Sequence, residues 1–138
     1  MVIIDTGVWL ALSNRKDQFH ERAKSRFLDL EKEGFITTWC VLTETCYLLQ
    51  KRISRTAPDI FIQQIYASKT KIFDLSKDHL PRVIELTQKY INLPMDLADA
   101  SLVILAEHLG HGRILSVDQR DFNTYRWNNT YPFQNLLL

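Results

Sequence analysis

Four acidic patches lie along this chain, each beside a short apolar run. Asp5 follows Met-Val-Ile-Ile, Glu44 sits within Val-Leu-Thr-Glu-Thr, Asp96 and Asp99 share Met-Asp-Leu-Ala-Asp-Ala, and Asp118 follows Ile-Leu-Ser-Val. One such residue is ordinary. Four imply a fold that gathers carboxylates into a pocket, where the natural occupant is a hard divalent cation bound through oxygen. Carboxylates held within a few ångströms repel one another, and their pKa values rise unless a cation compensates. One or two Mg²⁺ or Mn²⁺ ions would do so, and ions held in this way activate a water and stabilise charge on a phosphoryl group. The chemistry indicated is phosphodiester hydrolysis. Taken singly, Asp5 and Asp118 could be caps or turn residues, Glu44 a solvated helix residue, and Asp96 with Asp99 a complement to a helix N-terminus. Their joint occurrence carries the inference.

The elements between these residues must bring them together. Met1–Asp5 reads as a short buried strand and Val8–Leu12 as the start of a helical pattern. Residues 17–33 read as an amphipathic helix with Phe19, Ala23, Phe27 and Leu30 on one stripe, stopped by Gly34. Residues 35–38 predict a second strand, 41–53 a helix carrying Glu44, and 57–68 a further helix. Residues 71–75 predict a third strand, and 76–90 a helix capped by Ser76 and bent near Pro81. A helix over 95–109 is ended by Gly110, a fourth strand covers 113–117, and 132–138 is a candidate fifth. Alternating strands and helices imply one domain over residues 1–138: a three-layer α/β/α fold with a mostly parallel sheet of four to five strands. In open parallel sheets ligands gather at the carboxyl ends of the strands. Asp5 and Asp118 then share a rim, and the i, i+3 spacing of Asp96 and Asp99 puts both on one helical face.

Bulk properties narrow the function. Seventeen basic and sixteen acidic residues leave a net charge of +1, so nucleic-acid binding must come from local clusters and not from a global field. No apolar run reaches a membrane span and no signal peptide is visible, which points to a cytoplasmic protein. Cys40 and Cys46 are six positions apart, beyond disulfide reach if both lie on one helix, and read as reduced thiols. His20, His79, His108 and His111 lack zinc-ligand spacing, and no Gly-rich phosphate loop is present. Lys51, Arg52 and Arg55 follow the Glu44 helix, while Arg120 and Arg126 alternate with Phe122, Tyr125 and Trp127. Such interleaving suits single-stranded nucleic acid, with Arg120, Lys51 and Arg52 the candidate RNA contacts. Its alternatives are a solvated helix end and core aromatics.

Val-Ile-Ile-Asp5-Thr6, Thr43-Glu44, Asp96-Leu-Ala-Asp99-Ala100 and Ser116-Val-Asp118-Gln-Arg-Asp121-Phe122, in this order, resemble the PIN-domain ribonucleases, most of all the VapC-type toxins of toxin–antitoxin pairs. The resemblance covers nearly the whole chain. It implies an Mg²⁺- or Mn²⁺-dependent endoribonuclease with an acidic quartet of Asp5, Glu44, Asp99 and Asp118. Asp96 is then an additional or water-mediated ligand, and Thr6, Ser116 and Asp121 support the metal shell. It also implies an RNA substrate, a cognate antitoxin protein and a homodimer, with helices of the first half forming the dimer face and antitoxin groove. The alternatives are an inert PIN-scaffold module that binds RNA or protein, and a housekeeping RNA-processing nuclease. A haloacid-type phosphatase also opens with a strand and Asp, but needs a second Asp where this chain has Gly7.

Overall fold

A computed structural model of the chain describes residues 1–137. Five short strands form one parallel sheet: β1 (Val2–Ile4), β2 (Phe35–Thr38), β3 (Lys71–Phe73), β4 (Arg113–Leu115) and β7 (Gln134–Asn135), in the spatial order β3-β2-β1-β4-β7. Parallel neighbours need crossover connections, which the helices supply. These are α1 (Thr6–Ser13), α2 (His20–Asp29), α3 (Trp39–Arg52), α4 (Ala57–Ala67), α5 (Leu80–Lys89), α6 (Leu97–Leu109) and α7 (Gln119–Thr124). A small antiparallel ribbon, β5 (Arg126–Trp127) with β6 (Tyr131–Pro132), precedes the last strand. The sheet flanked by helices is the expected architecture.

Strand order fixes where the site lies. From β1 the chain builds outward through β2 and β3, then returns to the other side of β1 with β4 and β7. The reversal lies between β1 and β4, whose register pairs Ile4 with Leu115. That crevice, at the carboxyl ends of the strands, is where an open α/β sheet binds its ligands. Gly7 permits its closeness: a Cβ there would stand 2.1 Å from Val117 Cγ2.

The core is built from Val2, Ile3, Ile4, Ile114 and Leu115 of the sheet, together with α6, which is buried from Ala100 through Ala106. A helix buried nearly all round belongs at the centre of a domain. It packs on β2, α3 and α5. Thr38 and Ser101 share a buried hydrogen bond of 2.7 Å; Thr38 Oγ1 also caps α3 by accepting from Val41 N–H, and Ser101 Oγ donates to the Ala98 carbonyl. This polar contact locks the start of α3 to the start of α6.

Several boundaries differ from those the periodicity suggests. The 17–33 helix begins only at His20, because the Asp17 carboxylate accepts from Phe19 N–H and forms a turn, and it ends at Asp29 before a short 3₁₀ turn over Glu31–Glu33. Gly34, at φ 78°, caps that 3₁₀ turn and so ends the helical segment directly before β2, as expected. Ser76 caps a 3₁₀ turn over Lys77–His79, with α5 opening separately at Leu80 and Pro81 in its first turn; there is no bent long helix. The helix expected from Met95 starts at Leu97, because Asp96 is its N-cap. Of the expected fifth strand over 132–138, Gln134–Asn135 pairs in the sheet and Leu138 lies outside the described residues.

Candidate active site

Asp5, Glu44, Asp96, Asp99, Asp118 and Asp121 line one open pocket of 370 Å³, with Thr6, Gly7, Pro94 and Arg52 in its wall. Local structure aims the carboxylates. Asp5 is the N-cap of α1, Asp96 the N-cap of α6 and Asp118 the N-cap of α7, so each is held at the mouth of a helix. Capping does not take them out of the pocket: each of the three both caps its helix and lines the pocket. The positive ends of their helices turn toward the carboxylates and offset part of the repulsion among them. Asp99 occupies the third position of α6 and completes a capping box, with Asp99 N–H donating to Asp96 Oδ1 at 2.8 Å and Asp96 N–H to Asp99 Oδ2 at 3.3 Å.

Asp5 is the most firmly fixed member. Thr6 N–H donates to its Oδ1 at 2.7 Å and Ser116 Oγ to its Oδ2 at 2.8 Å. Burial nonetheless pushes its carboxyl up to about 6, against the pull of those two donors and with a further push from the charges of Glu44 and Asp118. Asp99 is pushed up to about 8, by burial first and then by the charges of Asp96 and Asp5. Burial also raises Glu44; the nearby Thr6 hydroxyl opposes the rise and Asp96 adds to it. Asp121 rises to about 6 through burial and Asp118, with Arg120 pulling the other way. These carboxylates face a surplus of negative charge.

Two buried oxygens, Thr6 Oγ1 and Asp121 Oδ1, make no hydrogen bond within the fold; the nearest cation to the latter is Arg120 Nε at 3.5 Å. An all-oxygen donor set, carboxyls raised by burial and by one another's charge, and two buried oxygens without a hydrogen bond together fit a hard divalent ion. As the side chains stand they are not a finished cage: among the described residues no group of three or more His, Cys, Asp or Glu is arranged to hold one ion.

The basic candidates separate. Arg52 lines the pocket, eight residues beyond Glu44 on α3. Lys51 does not line it; its Nζ lies 5.7 Å from the Tyr47 ring centre. Arg120 is exposed and paired with Asp121. The aromatics after it prove to be core: Phe122 and Tyr125 are buried, and the Arg126 guanidinium donates to the carbonyls of Asn123, Thr124 and Tyr125. Periodicity over so short a helix does not tell a stacking platform from a core face.

Some contributors escape sequence reasoning. Tyr125 has its hydroxyl 3.5 Å from Asp99 Oδ2, and its ionisation is suppressed by burial and by Asp99, Asp121, Asp118 and Asp96. It thus faces the cluster as a neutral donor. Ser116, the serine that touches the cluster, bonds Asp5 instead of a histidine, and burial raises the thiols of Cys40 and Cys46, so none of these three is set up as a nucleophile.

A family model described as the PIN domain matches residues 2–128. The chain is 24% identical over 125 residues to Ribonuclease VapC26 of Mycobacterium tuberculosis (strain ATCC 25618 / H37Rv), covering 91% of this chain and 92% of that relative. Among solved structures it is similar to Mycobacterium tuberculosis VapC20, described as a sarcin-ricin loop cleaving toxin. That likeness has a TM-score of 0.77 at 21% identity, covers 86% of this chain and 90% of the other, and is one of fold.

Proposed function

The chain belongs to the PIN domain family, and on that premise we propose that it is a metal-dependent endoribonuclease, the toxin component of a toxin–antitoxin pair. The observation that carries the reading is the convergence of Asp5, Glu44, Asp99 and Asp118 on one pocket at the sheet's reversal point. The two Mycobacterium relatives, a ribonuclease and an RNA-loop-cleaving toxin, support the substrate class.

In this reading Asp5, Asp99 and Asp118 hold the metal, with Glu44 and Asp96 completing the shell directly or through water. Bound there, one or two Mg²⁺ or Mn²⁺ ions would supply Lewis-acid stabilisation of phosphoryl charge and lower the pKa of an attacking water. The protein's part is orientation. Ser116 and Thr6 N–H fix both oxygens of Asp5, the capping box fixes Asp99 against Asp96, and Tyr125 keeps a neutral donor beside Asp99. Arg52, in the pocket wall, can pair with a substrate phosphate, while Arg120 and Lys51 extend the contact outside it. The open pocket suits a strand or loop of RNA. In this reading the protein works in the cytoplasm, where unpaired cysteines such as Cys40 and Cys46 stay reduced. Among the described residues no helix is long and apolar enough to cross a membrane.

An antitoxin or second copy has a surface to meet. Between α3 and α4 lies an apolar groove of 440 Å³ lined by Trp39, Leu42, Cys46, Ile62, Tyr66 and Ile72, with Tyr66 91% exposed. Apolar patches of this kind mark interaction sites. The test of function is cleavage of RNA, including a sarcin-ricin-type loop oligonucleotide, with Mg²⁺ or Mn²⁺ and with a chelator. Asp5→Asn should abolish cleavage; a folded Asp5→Asn protein that cuts RNA at the wild-type rate would sink the assignment.

A further inference from the structure

The last strand reaches the site at one remove. Ser116 is the first residue past β4, where the chain leaves the sheet toward Asp118. Main-chain pairing between β4 and β7 runs only to Ile114 opposite Asn135, where Leu136 N–H donates to the Ile114 carbonyl at 2.7 Å. Beyond it, the Asn135 side chain takes over. Asn135 Oδ1 accepts from Ser116 N–H at 3.2 Å, and Asn135 Nδ2 donates to the Ser116 carbonyl at 2.9 Å. Leu137 N–H donates to the same Oδ1 at 3.1 Å and sets the amide's orientation. Leu137 is fully buried, and its carbonyl accepts from Arg22 Nε at 2.5 Å. An amide offers a donor and an acceptor together; neither a carboxylate nor a hydrocarbon can clamp the N–H and the C=O of one residue in this way.

Ser116 is not a passive recipient. Its Oγ donates to Asp5 Oδ2 at 2.8 Å and accepts from Asp118 N–H at 3.0 Å, so its orientation sets two carboxylate-bearing residues at once. We propose that Asn135 is a positioning residue for the reaction proposed above, acting through Ser116 on Asp5 and Asp118. Position 135 lies past residues 2–128, so the brace comes from outside the part of the chain that the family model matches.

The inference rests on the proposed metal-dependent function, and the test separates the two. Mn²⁺ is titrated calorimetrically against the wild type, Asn135→Ala, Ser116→Ala, the double variant and, as a control on the same strand, Gln134→Ala. RNA cleavage by each is followed in parallel. Outer partners of metal ligands are worth about 10- to 100-fold in affinity or activity, so Asn135→Ala should weaken Mn²⁺ binding and lower kcat by about 10-fold. Gln134→Ala should change neither. Because the effect passes through Ser116, the double variant should match Ser116→Ala alone. Wild-type affinity in folded Asn135→Ala, or additive losses in the double variant, overturns the inference and leaves the proposed function standing. A wild type that binds no Mn²⁺ overturns both. Should the alanine variant not fold, Asn135→Ser carries the same comparison, since its hydroxyl cannot span both the N–H and the C=O of Ser116.

Discussion

Asp99 holds its proton to about pH 8 and Asp5 to about pH 6, whereas an unfolded Asp releases it near 3.8. The sign follows directly. A raised pKa in the folded state is a stabilising contribution fully present below about 3.8, and it is lost as pH rises through the folded value. At neutral pH and above, the metal-free protein therefore carries a penalty at these carboxylates. Asp99→Asn should stabilise the metal-free fold at pH 8 by about 1–2 kcal/mol, discounted for the partial exposure of Asp99. The gain should vanish toward pH 4, as read by urea unfolding across pH. A variant less stable than wild type at pH 8 would show that the cluster is not under charge stress. At this scale the convergence of the four carboxylates was legible because Asp5, Asp99 and Asp118 lie at element starts beside apolar runs and Glu44 lies in the first half of α3. Tyr125 and Asn135 were not, because both meet the site through contacts that no spacing encodes, 26 residues from Asp99 and 19 from Ser116.

At the scale of elements, helix starts aim the carboxylates and two contacts hold those starts in place. Gly7 lets α1 close on the segment after β4, and a methyl group there would overlap Val117. Gly7→Ala should cost about 1–3 kcal/mol by overpacking, and should weaken metal binding by moving Asp5 from Asp118; thermal melting and Mn²⁺ titration check both. An unchanged melting point would mean the crevice has room that the structure does not give it. The Thr38–Ser101 bond ties α3 to α6 in a buried setting. Ser101→Ala leaves Thr38 without that partner and should cost about 1–3 kcal/mol, while a Thr38→Val, Ser101→Ala pair should cost less than the sum of the single changes. The strands over 35–38, 71–75 and 113–117 were read from short apolar or β-branched runs, and the last two end earlier, at Phe73 and Leu115. The helix starts at Leu97 and Leu80 were misjudged because Asp96 and Ser76 bind backbone amides locally, which hydrophobic period does not register.

For the whole molecule, the proposed function makes the clustered carboxylates a cost to the metal-free fold and a gain once a cation binds. A ligand that binds only the folded state stabilises it by about 2.7 kcal/mol at a hundred times its dissociation constant. Saturating Mn²⁺ should therefore raise the melting temperature of the wild type and not of Asp99→Asn; equal shifts in both would move the ion elsewhere. Topology was legible at this scale because alternating strands and helices leave few arrangements. The place of β7 beside β4 was not, since a two-residue strand carries no periodicity. The most direct measurement is cleavage of RNA by wild type and Asp99→Asn, with Mn²⁺ and with chelator. Wild-type cleavage that needs Mn²⁺ and falls at least about a hundredfold in Asp99→Asn is expected; cleavage indifferent to both chelator and substitution would contradict the carboxylate pocket as the reaction centre.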